Sequence, residues 1–387
     1  MEKGISPKLH VLTLTPFFPS DGDLVSGCFV AETLSPLAAL GVASSVIAVD
    51  SIYHRSRKTS QQFPAEWTRY PQLPGNFGLS TAGNFLGTVL LNRVRQIHRY
   101  SPVSLIHAHA ALPCGHAAAF LARRLNIPFV VTVHGLDVFN SCFQNGIAAQ
   151  WRRKASFGVY EGTRKVICIS EKVKVLLADG AGPNVPAEVV YNGTDPEFFS
   201  PGPVQGNTPT ILVVGTLLAG KGHELALRAV GKLKDSHPDL QCRIIGEGAD
   251  RDRFASLARE LGVGDRVLFL GRQSRSEVAD AMRNCTVFVL PSRYEGLGCV
   301  YLEAMACGKP IIGCRGQGID EIIHDGVNGA LIPVDGLDEL VQKLQTLLGD
   351  AQLRERIGHA ARRTILDNLT LSHQARSLIR IYEEAAR

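Results

Sequence analysis

Glu295 and Glu303 stand eight positions apart in PSRYEGLGCVYLEAMACGKP, after the apolar run Thr286–Leu290 and at a helical pattern that opens near Leu297. On this reading Glu295 lies in the loop. The amides of Gly296, Leu297 and Gly298 fall at the helix start, where unpaired N–H groups and the helix dipole favour a phosphate. Glu303 follows within two turns, on the inward side, where a carboxylate accepts hydrogen bonds from ribose hydroxyls. Two solvated glutamates fit the pattern equally well when it is taken alone, because acidic residues are common in first turns.

A cation complements these acids. In VGTLLAGKGHEL, Gly215 ends an apolar run, Thr216 follows, and Lys221 and Gly222 open a helical pattern. A glycine-bearing turn followed by lysine holds a diphosphate by charge and by backbone donors. It is not a P-loop, since no glycine stands five residues before a Gly-Lys-Ser/Thr. Gly246-Glu247-Gly248 is not a dinucleotide fingerprint, since Arg251 occupies the third glycine position. His134 and Asp137 in VVTVHGLDVF follow a third apolar run, where a capped structural histidine is as common as a functional one. The loop Thr15–Phe29 carries Gly22 and Gly27, which permit close backbone approach to a ligand.

Three features carry less. Asp21-Gly22-Asp23 has the D-x-D form of metal-dependent sugar transferases but sits beside prolines, where a solvated turn is the commoner outcome. His107 and His109 share a strand face with His116 or His134 available, yet no carboxylate or cysteine completes a zinc set, and no metal is expected. Arg152, Arg153, Lys154, Arg164, Lys165, Lys172 and Lys174 form a basic cluster that suits a solvated surface or a membrane-facing patch, with nothing in the sequence to separate the two.

The elements that must position these residues alternate. Lys8–Leu14, Gly41–Val49, Val103–Ala108, Pro128–Val133 and Lys165–Ile169 are short apolar runs separated by helical patterns such as Gly115–Leu125. Glu197–Pro209 is rich in proline and glycine and has no helical period, which marks a linker. A second series follows: strands Thr210–Val214, Gln241–Ile245, Arg266–Leu270, Thr286–Leu290 and Pro310–Cys314, with helices over Glu224–Leu233, Asp250–Leu261 and Ser276–Asn284. After Asp335 the chain is helical to its end. Buried strands alternating with helices predict parallel sheets covered on both faces. The fold class expected is therefore α/β, with two doubly wound Rossmann-like domains facing across a cleft, and ligands beyond the carboxyl ends of the strands. The domains predicted are 1–200 and 210–387, joined by a linker at 201–209, with the last helix a candidate to pack back on the first domain.

Length and composition bound the rest. The 387 residues exceed one compact core, and 45% apolar with 20% charged side chains is ordinary for a folded soluble chain. The net charge of +5 is uneven: residues 1–200 hold 18 basic and 13 acidic side chains, and 201–387 hold 23 of each. Such a field attracts polyphosphates or an anionic membrane surface, but is too mild for a nucleic-acid binder. Nine cysteines without a C-x-x-C pair indicate buried free thiols and a reducing cytoplasm. Pro7 and Lys8 interrupt any signal-peptide pattern, and the glycines and asparagines of Pro71–Asn92 argue against a membrane span.

Taken together, the chain resembles a family 4 glycosyltransferase of the GT-B fold. The resemblance runs along PFFPSDGDLVSGCFV, IHAHAALPCG, TVHGLDV, CISEKV, VVYNGTDPEFFSP, VGTLLAGKG, IIGEG, VLFLG, LPSRYEGLGCVYLEAMACGKPII and GIDEIIHDGVNGALIP. It implies a retaining hexosyltransferase that uses a nucleotide-diphosphate sugar without a metal or other cofactor. The second domain would hold the donor, and the first a saccharide or polyprenyl-diphosphate-linked acceptor, in surface-polysaccharide synthesis at the cytoplasmic face of the membrane. By resemblance Glu295 contacts the donor sugar and Glu303 the ribose. Lys221 and the amides of 296–298 hold the diphosphate, Arg272 lies near the base, His134 near the reacting sugar, and Gly27 on the nucleotide side. Two departures stand out: Thr216 where many relatives carry arginine, and Gln317-Gly318 before Ile319-Asp320-Glu321. The resemblance also implies front-face attack beside the leaving phosphate, with domain closure about Pro201–Pro209 excluding water. The sequence leaves UDP and GDP open. Phe77–Leu91, followed by Arg93, Arg95 and Arg99, is either a membrane-facing segment or a helix packed on its own domain. A non-catalytic sugar-nucleotide-binding subunit is the alternative function, and a nicotinamide oxidoreductase lacks its glycine fingerprint.

Overall fold

The computed structural model of the chain describes residues 9–53, 57–73, 78–142, 145–203 and 208–387. Lys8, Phe77 and residues 204–207 of the expected linker lie outside them, as does the side chain of Cys142. The chain divides into two compact units, Met1–Tyr191 with Leu371–Arg387, and Asn192–Thr370.

In the first unit, seven strands form one parallel sheet: β1 (Leu9–Thr15), β2 (Val42–Ser51), β3 (Glu66–Tyr70), β4 (Leu105–His109), β5 (Phe129–Val133), β6 (Lys165–Cys168) and β7 (Ala187–Val189). Their order is β3-β2-β1-β4-β5-β6-β7. Every residue of β1, β4 and β5 is buried, the consequence of helices on both faces of a parallel sheet. The helices are α1 (Cys28–Ala31), α2 (Leu34–Ala39), α3 (Gly78–Tyr100), α4 (His116–Leu125), α5 (Leu136–Cys142), α6 (Ile147–Gly162) and α7 (Glu171–Ala181). Helix α3 covers most of the uncharged stretch and buries Ala82, Leu86, Leu90 and Val94. It lies close on α4, because a Cβ on Gly83 would collide with the ring of His116 and one on Gly87 with that of Phe120. No helix among the described residues is long and apolar enough to cross a membrane.

The second unit repeats the plan with six parallel strands, β8 (Thr210–Val214), β9 (Gln241–Ile245), β10 (Val267–Gly271), β11 (Val287–Val289), β12 (Ile311–Cys314) and β13 (Ala330–Ile332), ordered β10-β9-β8-β11-β12-β13. Its helices are α8 (His223–Leu233), α9 (Arg251–Glu260), α10 (Arg275–Asn284), α11 (Cys299–Ala306), α12 (Leu337–Gly349) and α13 (Ala351–Asn368). Strand order reverses direction between β1 and β4 in the first sheet and between β8 and β11 in the second. These switch points open a crevice at the strand ends, where ligands of such sheets bind.

The last helix, α14 (Leu371–Ala385), belongs to the first unit. Its side chains Ala375, Leu378, Ile381, Tyr382 and Ala385 recur at helical spacing and join Leu9, Val11, Leu105, Val130 and Ile167 in one core cluster. The chain passes between units at Tyr191–Asn192 and Thr370–Leu371, so the described residues of the expected linker, 201–203 and 208–209, belong to the second unit. Packing explains the difference from the expected boundary. Phe199 is fully buried, Arg283 donates to the carbonyls of Phe198 and Ser200 (2.7 and 3.0 Å), and Thr194 N–H donates to Leu369 O (3.0 Å). Proline and glycine mark irregular backbone, which is not the same as a free link.

Candidate functional site

In the second unit, the loops after β8 and β11 meet at the switch point. After β8, a 3-10 turn over Ala219–Lys221 leads to Gly222 at φ 77°, the left-handed region that glycine tolerates. A Cβ on Gly222 would collide with the carbonyl of Pro291, so this glycine lets the two loops touch. The contact brings Lys221 Nζ to 2.7 Å from Glu295 Oε2. Glu295 is also fixed through its backbone. Its N–H donates to Gln317 Oε1 (3.0 Å) and its carbonyl accepts from Gly318 N–H (3.1 Å). A Cβ on Gly318 would strike the carbonyl of Gly296, which accounts for glycine there. The altered Gln317-Gly318 pair thus acts as a buttress for the Glu295 loop.

Helix α11 starts at Cys299, two residues later than the sequence pattern indicated, with Gly298 at φ 81° as its N-cap. No side chain caps it. Leu297 is fully buried and anchors the loop, so only its backbone is available to a ligand. Glu303 is buried on the inward face of α11, and its Oε1 lies 3.1 Å from Arg275 Nη1. Burial raises the carboxyl pKa and the guanidinium opposes the rise. Arg275 was not foreseen. It opens α10, behind a capping box of Ser274 and Glu277, with its guanidinium 4.9 Å from the ring centre of Phe199. The helix-start Ser-x-x-Glu pattern was visible in sequence, but the partner of the arginine was not.

The remaining expected residues spread outward. Thr216 is exposed, and its carbonyl accepts from His223 Nε2 (3.0 Å). Gly215 N–H closes onto Ile245 O (3.0 Å), and Leu217 N–H onto Glu247 O (2.9 Å), so Gly246-Glu247-Gly248 braces the β8 loop. Arg272 is half exposed, with Nε 3.9 Å from Glu247.

In the first unit the switch point gathers aromatic rings. His134 follows β5, its N–H bonded to Asp137 Oδ1 (2.9 Å) and its Nε2 3.2 Å from His109 Nδ1. The two imidazoles stack at 5.4 Å and 17°, and Phe17 and Phe29 close on His134 at 5.3 and 5.1 Å. Gly27, at φ 76°, makes this approach feasible, since a Cβ there would overlap the backbone of Phe17 and Phe18. His107 is held by hydroxyls, Thr132 Oγ1 on Nε2 and Tyr382 OH on Nδ1, both at 2.7 Å. Burial lowers the pKa of His134 to about 4 and that of His107 to about 3, the latter helped by His134. His109 also falls well below the usual range, chiefly by burial. All three imidazoles are neutral near pH 7. Asp137 is pushed up to about 6 by burial, opposed by the backbone N–H groups near it, that of His134 first. Among the described residues no three His, Cys, Asp or Glu side chains are placed to hold a metal, and Asp23 Oδ1 instead accepts from Val25 and Ser26 N–H in a turn.

Two doubly wound parallel sheets, each with its polar loops gathered at a switch point, define the GT-B class of glycosyltransferases. The fold is shared with Anabaena HepE in complex with UDP, at a TM-score of 0.75 and 18% identity over 97% of this chain and 100% of that one. Residues 195–364 match the family described as glycosyl transferases group 1, and residues 29–198 match glycosyltransferase family 4. A D-inositol 3-phosphate glycosyltransferase of Frankia alni is 30% identical over 95% of this chain and 96% of its own length. A glycosyltransferase of Methanocaldococcus jannaschii is 33% identical over 66% of this chain and 68% of its own. The chain belongs to these group 1 and family 4 glycosyltransferases, and it is an enzyme of sugar transfer.

Proposed function

We propose that the chain moves a hexosyl group from a UDP- or GDP-sugar to a hydroxyl of a saccharide or polyprenyl-diphosphate-linked saccharide, with retention of configuration and without a metal. The observation that carries this reading is the Lys221–Glu295 contact at the β8/β11 switch point. As the bond from sugar to phosphate breaks, negative charge builds on the leaving diphosphate. On this reading Lys221 and the positive end of the α11 dipole stabilise the leaving group. Glu295, released from Lys221, accepts from sugar hydroxyls, while Glu303 and Arg275 meet the ribose. Neutral His134 is a hydrogen-bonding group for the reacting sugar rather than a fixed cation. No side chain of the site is assigned as a nucleophile, and the acceptor hydroxyl passes its proton to the leaving phosphate. The cellular role proposed is surface-polysaccharide synthesis, on the inner face of the membrane. The named activity of the Frankia relative makes a phosphorylated polyol a second acceptor class worth assay.

Thermal stabilisation by UDP, GDP, ADP and NAD, in the wild type and in Glu303→Ala, tests the donor. A selective shift from UDP or GDP that is lost in the variant supports the reading. Donor turnover in the presence of EDTA, with proton NMR of the product anomer, tests metal independence and retention. Nucleotide binding without turnover on any acceptor would favour the sugar-nucleotide-binding subunit.

A further inference from the structure

Helices α3, α4 and α6 of the first unit line an open pocket of about 650 Å³ that holds none of the residues assigned to the transfer chemistry. Its size is that of a small-molecule site, several times what a lone phosphate fills. Ser80 and Ala119 lie in its buried part, and Arg123, Lys154 and Trp151 stand exposed at its rim. Neither Arg123 nor Lys154 pairs with a carboxylate among the described residues. The three helices together carry eight Arg and Lys and a single acidic residue, Glu161, so the positive excess of the first 200 residues concentrates here. His116 also lines the cavity, and its Nδ1 is enclosed against Gly83 without a hydrogen-bond partner. Enclosing a bare lone pair costs less than enclosing an N–H, so the proton sits on Nε2 and the ring is a donor. Two cations, an imidazole N–H and an indole face, beside alanine and glycine, suit an anion attached to an apolar body.

We propose that this cavity binds a phosphate ester carried on an apolar stem, with the phosphate at Arg123, Lys154 and His116 and the stem against Trp151 and the α6 wall. The lining includes none of Lys221, Glu295, Glu303 or His134, so binding here is tested whether or not the sugar-transfer reading holds.

The chain has two tryptophans, so Trp67→Phe leaves Trp151 as an intrinsic reporter. This variant is titrated with monomeric dodecyl phosphate, with dodecyl maltoside, with inorganic phosphate, and with phosphatidic acid vesicles. The expected result is a saturable change in Trp151 emission with dodecyl phosphate alone or far ahead of the others. Arg123→Ala and Lys154→Ala each weaken it about tenfold or more, the loss of one charge-assisted contact. Gly158 supplies a control that keeps every charge. A Cβ there meets no atom within 4 Å, so Gly158→Leu adds apolar bulk at the pocket wall, and it should weaken the response about tenfold or more in a folded protein. An equal response to dodecyl maltoside or to inorganic phosphate overturns the proposal. So does a response to vesicles without one to the monomer, which would make the face a membrane surface, or a response indifferent to all three substitutions.

Discussion

Lys221 Nζ and Glu295 Oε2, 74 positions apart in the chain, lie 2.7 Å from each other and join the loops that follow the neighbouring strands β8 and β11. Each satisfies the other's charge. Under the proposed function, ligand entry is an exchange, lysine to phosphate and carboxylate to hydroxyl, rather than the desolvation of two bare ions.

Lys221→Ala should therefore lower kcat/KM by about 10²–10³-fold, the usual cost of removing one electrostatic donor at a developing charge. The pair is partly exposed, and the fold should lose no more than about 1 kcal/mol. Steady-state kinetics beside urea unfolding separates the two effects. A loss of folding equal to the loss of rate would make Lys221 structural.

Arg275→Ala leaves the buried Glu303 without its cation. Breaking a buried pair from one side costs about 3–5 kcal/mol. Adding Glu303→Gln in the same chain removes the stranded charge and should restore much of that. If the double variant is as unstable as the single one, the pair is not the cause.

Tyr382→Phe removes the hydroxyl that α14 places on His107 Nδ1. The expected cost is about 1–3 kcal/mol, that of a buried polar atom left unpaired, with ring packing retained. Equilibrium denaturation of the first unit's core would report it. A neutral result would place the stability of α14 in its apolar face alone.

The imidazole of His134 has its pKa depressed to about 4 in the folded chain, against an ordinary unfolded value of 6.5. Between these limits the unfolded state binds the proton and the folded state does not, so stability from this group is complete above about pH 6.5 and is lost as pH falls toward 4. Asp137, raised to about 6, opposes this by holding a proton in the folded state. His134→Gln should flatten the dependence of unfolding free energy on pH near pH 5 by about one proton, or roughly 1.4 kcal/mol per pH unit. Denaturant midpoints from pH 4.5 to 7 check the slope, and an unchanged slope would mean that the ring is protonated in the folded state.

The sequence stated the buried half of this fold plainly. Strands β1, β4, β5 and β8 are buried throughout and mostly apolar because both faces of a parallel sheet are covered. Strands β3, β7 and β13 went unpredicted. All three lie at sheet edges: Glu66, Arg69 and Glu188 are tolerated in β3 and β7, which interrupts their apolar signal, and β13, though apolar and buried, is only three residues long.

At the candidate site, residue type and spacing singled out Glu295, Glu303, Lys221 and His134 as candidates, because a loop after a strand and a helix start are local features. The partners of those residues are not local. That Lys221 meets Glu295, that Arg275 occupies Glu303, that His109 stacks on His134, and that the helix from Leu371 completes the first unit depend on which strands lie side by side. Strand order is set by packing of the whole sheet against its helices, a free energy summed over dozens of buried side chains. One-dimensional spacing carries the pieces of that sum, and only the folded chain decides which pieces touch.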